Sequence, residues 1–154
     1  MAFEISEMKI DDHEEAFQLW QQTPGMGLSS ADRKPAIARF LQRNAGLSYV
    51  ARDDGKLVGT ALCGHDGRRG YVYHVAVAET NRNKGIGKRL VACCLEGLRL
   101  QGIEKAHLMV YSDNLGGIAF WNKLDWFRRD ELVIMSVDLN QKSLNLAISA
   151  QQDI

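Results

Sequence analysis

The sequence predicts an α+β fold: one domain on a central mixed, largely antiparallel sheet flanked by about four helices. Three observations carry this. Strand-like and helix-like runs follow the order β-α-α-β-β-β-α-β-α-β(β). The three middle strands are joined by turns, Asp53-Asp54-Gly55 and the longer Gly64 to Gly70, which is hairpin connectivity and therefore antiparallel pairing. A βαβ unit follows, from Tyr71–Ala78 through a helix to Ile103–Tyr111, and a crossover of that length joins parallel strands. A chain of 154 residues is long enough to bury roughly two thirds of its unfolded surface in one core.

Composition narrows the class. Hydrophobic residues make up 45% and charged residues 25% of the chain, as in an ordinary soluble globular domain. The 19 lysines and arginines balance the 19 aspartates and glutamates, so no nucleic-acid partner is expected. No basic start leads into an apolar core as in a signal peptide, and no apolar run approaches the roughly 20 residues that span a bilayer, so no membrane partner is expected. Cys63, Cys93 and Cys94 include an adjacent pair ill suited to a disulfide, and they read as reduced thiols of a cytoplasmic protein. No Cys/His spacing suggests zinc, so no metal is expected.

The elements follow in order. Phe3 to Lys9 alternates apolar and polar residues and reads as a first strand. Asp11 or Asp12 caps the first helix, Glu14 and Glu15 suit its positive end, and Ala16, Phe17 and Trp20 share a face. Thr23-Pro24-Gly25 stops it, and Met26 to Ala31 is a loop. The second helix caps at Asp32, which places Pro35 in the first turn, where a missing N–H breaks no intrahelical bond. Its stripe is Ile37, Phe40 and Leu41. Leu47 to Arg52 and Lys56 to Cys63 are hairpin strands, and Tyr71 to Ala78 is the central strand. By period two, Tyr71, Tyr73, Val75 and Val77 share one face of it and His74 takes the other, as a structural residue. The next helix carries Ile86, Leu90, Cys94 and Leu98 on one stripe and ends at Gly102. After a strand over Ile103 to Tyr111, a short helix runs from Leu115 to Leu124. Trp126 to Leu139 holds a last strand or hairpin built on Leu132-Val133-Ile134-Met135 and Val137. The domain closes at residue 139, and residues 140–154 are a tail compatible with a short helix, a packed segment or disorder.

The chemistry concentrates where the central strand meets the helix, at Arg82-Asn83-Lys84-Gly85-Ile86-Gly87. Glycines allow close backbone approach and positive φ. The first N–H groups of a helix lack intrahelical partners and lie at the positive end of its dipole. Arg82, Lys84, Lys88 and Arg89 add charge, so a phosphate or pyrophosphate is the expected guest. A Walker loop is excluded, because its first glycine would fall on Arg82 and its hydroxyl on Arg89. A dinucleotide fingerprint is excluded, because its third glycine would fall on Leu90.

What remains, Arg82-x-x-Gly85-x-Gly87 between strand and helix, resembles the acyl-CoA signature of the GNAT superfamily (Gcn5-related N-acetyltransferases). The element order is similar to that fold over residues 3 to 139. Gly64-x-Asp66-Gly67-x-Arg69-Gly70 also resembles a turn in YpeA-like bacterial members. The resemblance implies the GNAT, or acyl-CoA N-acyltransferase, fold and acetyl-CoA as co-substrate. It implies acetyl transfer to a primary amine of a small molecule or peptide by direct attack in a ternary complex, in a monomer or homodimer. Val75, Ala76 and Val77 would pair with the pantetheine arm. The backbone of Arg82, Asn83, Lys84, Gly85, Ile86, Gly87 and Lys88 would hold the pyrophosphate, and Asn114, Gly117 and Phe120 would complete the CoA contacts. Tyr71, Tyr73 and Tyr111 are the catalytic candidates: the first two match positions where the family often has Glu or His, and the third is a proton source.

Three departures stand out. Trp121 takes the place of the usual Tyr that protonates the leaving thiolate; an indole N–H donates a hydrogen bond but delivers no proton. Asp125-Trp126 stands for Gly-Phe, and Glu79 for the usual Pro. A protein of this fold that binds acyl-CoA without turnover is therefore the alternative, and an unrelated α+β binding domain is a third reading. Covalent use of Cys63, Cys93 or Cys94 is disfavoured, since buried thiols usually pack.

Overall fold

The computed structural model describes residues 3–150. The chain divides into two units, Met1–Phe120 and Trp121–Ile154.

At the centre of the first unit a single sheet has the order β1 (Phe3–Glu7), β2 (Tyr49–Asp53), β3 (Lys56–His65), β4 (Gly70–Val77) and β5 (Ala106–His107). The first three pairings are antiparallel and β4–β5 is parallel, which is the mixed sheet expected from the hairpin turns and the crossover. The β2–β3 turn uses Asp54 (φ 52°) and Gly55 (φ 78°), the two positive-φ positions that match the twist of a tight hairpin. β3 is buried continuously from Leu57 to Gly64 because helices cover both of its faces. On one face, Trp20 of α1 (His13–Gln21) and Ile37 of α2 (Lys34–Arg43) join Val50, Leu57, Leu62 and Ala76 in a core. Trp20 is fully buried, and its Nε1 donates to Thr60 Oγ1 at 2.9 Å. On the other face lies α3 (Ile86–Leu100), with the predicted stripe Ile86, Leu90, Cys94 and Leu98 buried. Gly102 follows it at φ 82°.

Asp12 ends a single 3-10 turn, Ile10–Asp12, and stands at the expected N-cap position of α1, but makes no side-chain cap bond there. The cap expected at Asp32 moved. Asp32 ends a second such turn, Ser30–Asp32, whose first residues are tied by Ser29 Oγ accepting from Ala31 N at 3.2 Å. α2 then starts at Lys34, with Pro35 in its first turn as anticipated. The strand expected over Ile103 to Tyr111 shrinks to Ala106–His107, because only these residues reach β4; Met109, Val110 and Tyr111 face solvent instead.

α4 (Leu115–Lys123) runs into the second unit. There Trp126 N donates to Trp121 O at 3.1 Å across Asp125, which takes φ 65°. This is a helix stop over a left-handed residue, with aspartate where glycine is usual. The indole of Trp126 packs edge-on against that of Trp121, 4.9 Å between centroids. The strand or hairpin expected between Trp126 and Leu139 does not form among the described residues. Leu132 to Val137 is apolar and β-prone, yet Val133 is 82% and Met135 89% exposed; a strand needs a partner, and propensity alone does not supply one. The tail contains α5 (Gln141–Ser149), opened by a reciprocal cap in which Asn140 Oδ1 accepts from Ser143 N at 2.9 Å. Residues 151–154 of the predicted tail lie outside the described residues. No helix among the described residues is long and apolar enough to cross a membrane.

The α2 end and β3 meet tightly. A β-carbon at Gly64 would fall 2.7 Å from Cγ of Asn44. Asn44 is buried, donates to Phe40 O at 3.3 Å and accepts from His65 N at 3.1 Å. Gly64→Ala is expected to lower stability by about 1–3 kcal/mol in urea unfolding. An unchanged midpoint would show that the Asn44 side chain moves without cost.

Candidate functional site

The junction of β4 and α3 is a backbone device. Ala78 N donates to Val58 O at 2.8 Å, keeping the strand end on the sheet. A 3-10 turn, Glu79–Asn81, follows, and buried Asn81 anchors it by donating to Asp53 Oδ2 at 2.9 Å. Then Asn83 (φ 63°) and Gly85 (φ 81°) take left-handed conformations on either side of Lys84. Left-handed residues in such a turn aim successive N–H groups to one side and make an anion-binding concavity. Gly85 is the N-cap of α3 and has no side chain, so the helix's first N–H groups are left for a ligand or water. Gly87 is needed for a different reason: a β-carbon there would lie 3.2 Å from the Phe120 ring and 3.6 Å from Val77 Cγ2. Phe120 is thereby placed beside the loop.

The cations divide. Lys84 and Lys88 are exposed at the loop. Arg82 folds back, its Nε donating to Val77 O at 3.1 Å. Arg89, grouped with them by sequence proximity, instead sits over the Phe3 ring, 5.0 Å from its centroid. It belongs to the sheet edge rather than to the loop.

β4 has a free edge leading to this loop. It pairs with β5 only at Gly70 and Tyr71, and beyond Tyr71 no strand among the described residues covers that side. On its other side, toward β3, the register shifts: Thr60 faces Ala76 while Leu62 faces Tyr73, so His74 and Val75 together oppose Ala61. This bulge overturns the period-two assignment of faces. Tyr73 and Ala76 pack with the α1/α2 core, Val77 lies against Gly87 of α3, and the His74 ring is 4.7 Å from Trp20. His74 is thus on the α1/α2 side with Tyr73, and Val77 is not, because one inserted residue breaks the alternation. His74 Nε2 lies 2.6 Å from Asp32 Oδ1.

Tyr71 and Tyr73 are brought together, their rings stacked at 6.4 Å, with Phe40 edge-on to Tyr73 at 6.1 Å and His107 5.8 Å from Tyr71. With Phe40, Arg43 and Asp66 they line a cavity of about 260 Å³. Burial, and then the neighbouring Tyr71, push the Tyr73 phenol above its ordinary pKa. Near neutral pH it is a hydrogen-bond donor and not a base. Tyr111 is elsewhere, 60% exposed on the segment after β5, where a β-carbon at Gly27 would come 2.7 Å from its hydroxyl. Asn114 opens α4, its Oδ1 accepting from Gly117 N at 3.0 Å, and its amide abuts Gly25. The connection between α1 and α2 therefore touches both Tyr111 and Asn114.

Other candidates are accounted for by packing. His65 is tied into its turn, bonded to Gln101 Oε1 at 2.7 Å and accepting from Gly67 N at 3.0 Å. Cys63 and Cys94 are buried together, and the Cys94 thiol is driven far up in pKa by its hydrogen bond with Cys63 and by burial, so it is unreactive. Sequence reasoning missed Asp32 as the partner of His74; the two are 42 positions apart and no local pattern links them.

The acetyltransferase (GNAT) family matches this chain over residues 12–126. An acetyltransferase of Photorhabdus laumondii is 35% identical over 138 residues, covering 86% of this chain and 93% of its own length. One from Sodalis glossinidius is 31% identical over 132 residues, covering 86% and 92%. Among solved structures, Ard1 from Thermoplasma volcanium superposes with a TM-score of 0.71 at 22% identity, over 80% of this chain and 82% of that one. The PaiA N-acetyltransferase of Thermoplasma acidophilum, solved in complex with coenzyme A, gives 0.69 at 20% identity, over 80% and 89%. At these identities the structural likeness speaks to the fold.

The raised Tyr73 pKa has a sign that can be tested. The folded protein holds this proton above the pH where the unfolded chain, at about 10, releases it. That contribution to stability is complete below the unfolded value and is lost as pH rises through the folded one. In Tyr73→Phe, the fall of the melting temperature above pH ~10 should be shallower than in the wild type. Parallel curves would place the alkaline loss elsewhere.

Proposed function

Because the chain belongs to the acetyltransferase (GNAT) family, we propose that it transfers an acetyl group from acetyl-CoA to a primary amine of a small molecule or peptide. The observation that carries the reading is the continuity between the free edge of β4 and the amide concavity at the start of α3. An extended, amide-bearing arm can pair with the backbone at Val75, Ala76 and Val77 as a further strand would. That path leads to the N–H groups from Asn83 to Lys88, where a pyrophosphate meets unsatisfied donors, the helix dipole and the ammonium groups of Lys84 and Lys88. The donor set therefore fits CoA. Phe120 beside Gly87, and Asn114 with Gly117 at the head of α4, are the remaining contacts proposed for it.

Acetyl-CoA supplies the activated acetyl group, and the protein's residues orient both partners. A main-chain N–H on the free edge of β4 polarises the thioester carbonyl. Tyr71 and Tyr73, as neutral phenols, hold the acceptor or a water next to it. The proton for the departing thiolate comes from water or Tyr111, since the indole of Trp121 has none to give. That same Trp121 favours a second reading, an acyl-CoA-binding protein of this fold without turnover, which a positive acetyl-transfer assay removes.

Thermal unfolding in parallel with acetyl-CoA, CoA, NAD and ATP tests the reading. A ligand at 100 times its dissociation constant stabilises by about 2.7 kcal/mol, and only the CoA species should do so. Gly85→Glu should abolish the shift by placing a negative side chain at the pyrophosphate site. Gly85→Asn should retain most of it, because asparagine tolerates a left-handed backbone. Stabilisation by ATP or NAD, or a full CoA shift in folded Gly85→Glu, would rule the assignment out.

A further inference from the structure

We propose that His74 is the base that takes a proton from the acceptor amine, and that Asp32 is the residue that positions it; the inference rests on the acetyltransferase reading above.

The first observation is the His–Asp pair. Asp32 Oδ1 lies 2.6 Å from His74 Nε2, and both side chains are largely buried. The carboxylate is fixed from its other side, because Oδ2 accepts the Ser29 N–H at 2.9 Å. The backbone of the same residue is held too, with Asp32 O 2.8 Å from the ring Nε2 of His13. A carboxylate at Nε2 keeps the proton on that nitrogen, so the neutral ring carries its lone pair on Nδ1. Nδ1 has no hydrogen-bond partner among the described residues. No fully buried side-chain nitrogen or oxygen among them lacks a partner, so Nδ1 keeps some contact with solvent although the side chain is only 15% exposed. Oriented imidazole with a free basic nitrogen is the arrangement a proton acceptor requires.

The second observation is backbone strain. His74 has φ 49°, a conformation that side chains other than glycine rarely adopt, and it is retained inside the β4 bulge. The surroundings over-determine it. Thr60 Oγ1 donates to His74 O at 2.8 Å and accepts from Trp20 Nε1 at 2.9 Å, and the Trp20 ring packs on the imidazole. β3 and α1 thus present Thr60 and Trp20, which do not titrate near neutral pH. Asp32 is the charged group in contact with the ring, and His13 reaches only its backbone carbonyl.

The third observation is position. His74 follows Tyr73, which lines the aromatic cavity, and precedes Val75 on the free strand edge. In the chain it joins the residue of the acceptor wall to the backbone proposed for the acetyl donor.

The step balances as follows. The acceptor ammonium gives one proton to Nδ1, and Asp32 stabilises the imidazolium. The freed nitrogen pair forms the C–N bond at the thioester carbonyl. The C–S bond breaks with its electron pair on sulfur, water protonates the thiolate and takes up the second nitrogen proton in its place, and His74 returns its proton to solvent.

Two measurements test this. Nitrogen-15 NMR of the wild-type imidazole should show the neutral ring as the Nε2–H tautomer, and Asp32→Asn should lose that bias. Acetyl transfer from acetyl-CoA is then compared for propylamine and Nα-acetyl-lysine methyl ester, whose amines are protonated at neutral pH, and for hydroxylamine, which is not. In His74→Gln, kcat with the two protonated amines should drop about 100-fold or more. The loss with hydroxylamine should be less than about 10-fold, with CoA affinity unchanged by calorimetry. An Nδ1–H tautomer, no loss, or the same loss with all three nucleophiles overturns the role of His74 while leaving the acetyltransferase reading intact. A wild type that binds CoA and acetylates none of the three overturns that reading, and this inference with it.

Discussion

Between the pairs Thr60–Ala76 and Leu62–Tyr73, β4 spends one more residue than β3, and the surplus is absorbed at His74 and Val75. That single insertion divides the strand into two halves with different duties. Before it, Tyr71 and Tyr73 turn toward α2 and build an aromatic wall. After it, Val77 turns toward α3 and supports the close approach of Gly87. An unbroken strand would send Tyr73 and Val77 to the same side, and the wall and the turn into α3 would compete for one face. The bulge also leaves a polar problem inside the sheet, solved by the chain Trp20 Nε1 to Thr60 Oγ1 to His74 O. Removing the Thr60 hydroxyl would leave the buried Trp20 N–H and the His74 carbonyl without this partner, at a cost of about 1–3 kcal/mol.

The turn between β4 and α3 relies on the sheet rather than on its own contacts. Its tip is held through Asn81 to Asp53 at the β2–β3 turn, and its base through Ala78 to Val58. α3 is then held by a buried stripe, so the N–H groups at its start are presented by packed structure. Lys84 and Lys88 are exposed there, so the field of their charges is screened by salt.

Much of this was legible in the chain, for reasons that differ element by element. The β2–β3 hairpin is written in Asp54-Gly55, whose positive φ is a local property. The start of α2 is written in Pro35, and the left-handed turn that opens α3 in glycine spacing next to a helix stripe. The bulge was not legible, because His74 and Val75 include no glycine or proline to mark it and only the pairing with β3 reveals the extra residue. Asp32 was legible as an acidic residue before a helix, and that local sense concealed its long-range partner. Arg89 is adjacent in sequence to the cationic loop, but one helical position turns it to Phe3. Ile103 to Tyr111 and Leu132 to Val137 have the composition of strands; how much of each becomes one is decided by neighbours, which composition does not record.

The three thiols differ sharply in access. Cys63 and Cys94 are sealed in the core between β3 and α3, while Cys93, one position along the same helix, is partly open. A maleimide dye offered to the folded protein therefore has one ready attachment point, giving a spectroscopic handle without any substitution. The other two react only when the core opens, so their rate of alkylation counts excursions to the unfolded state. The chain carries both a reporter of its native form and a clock for its loss.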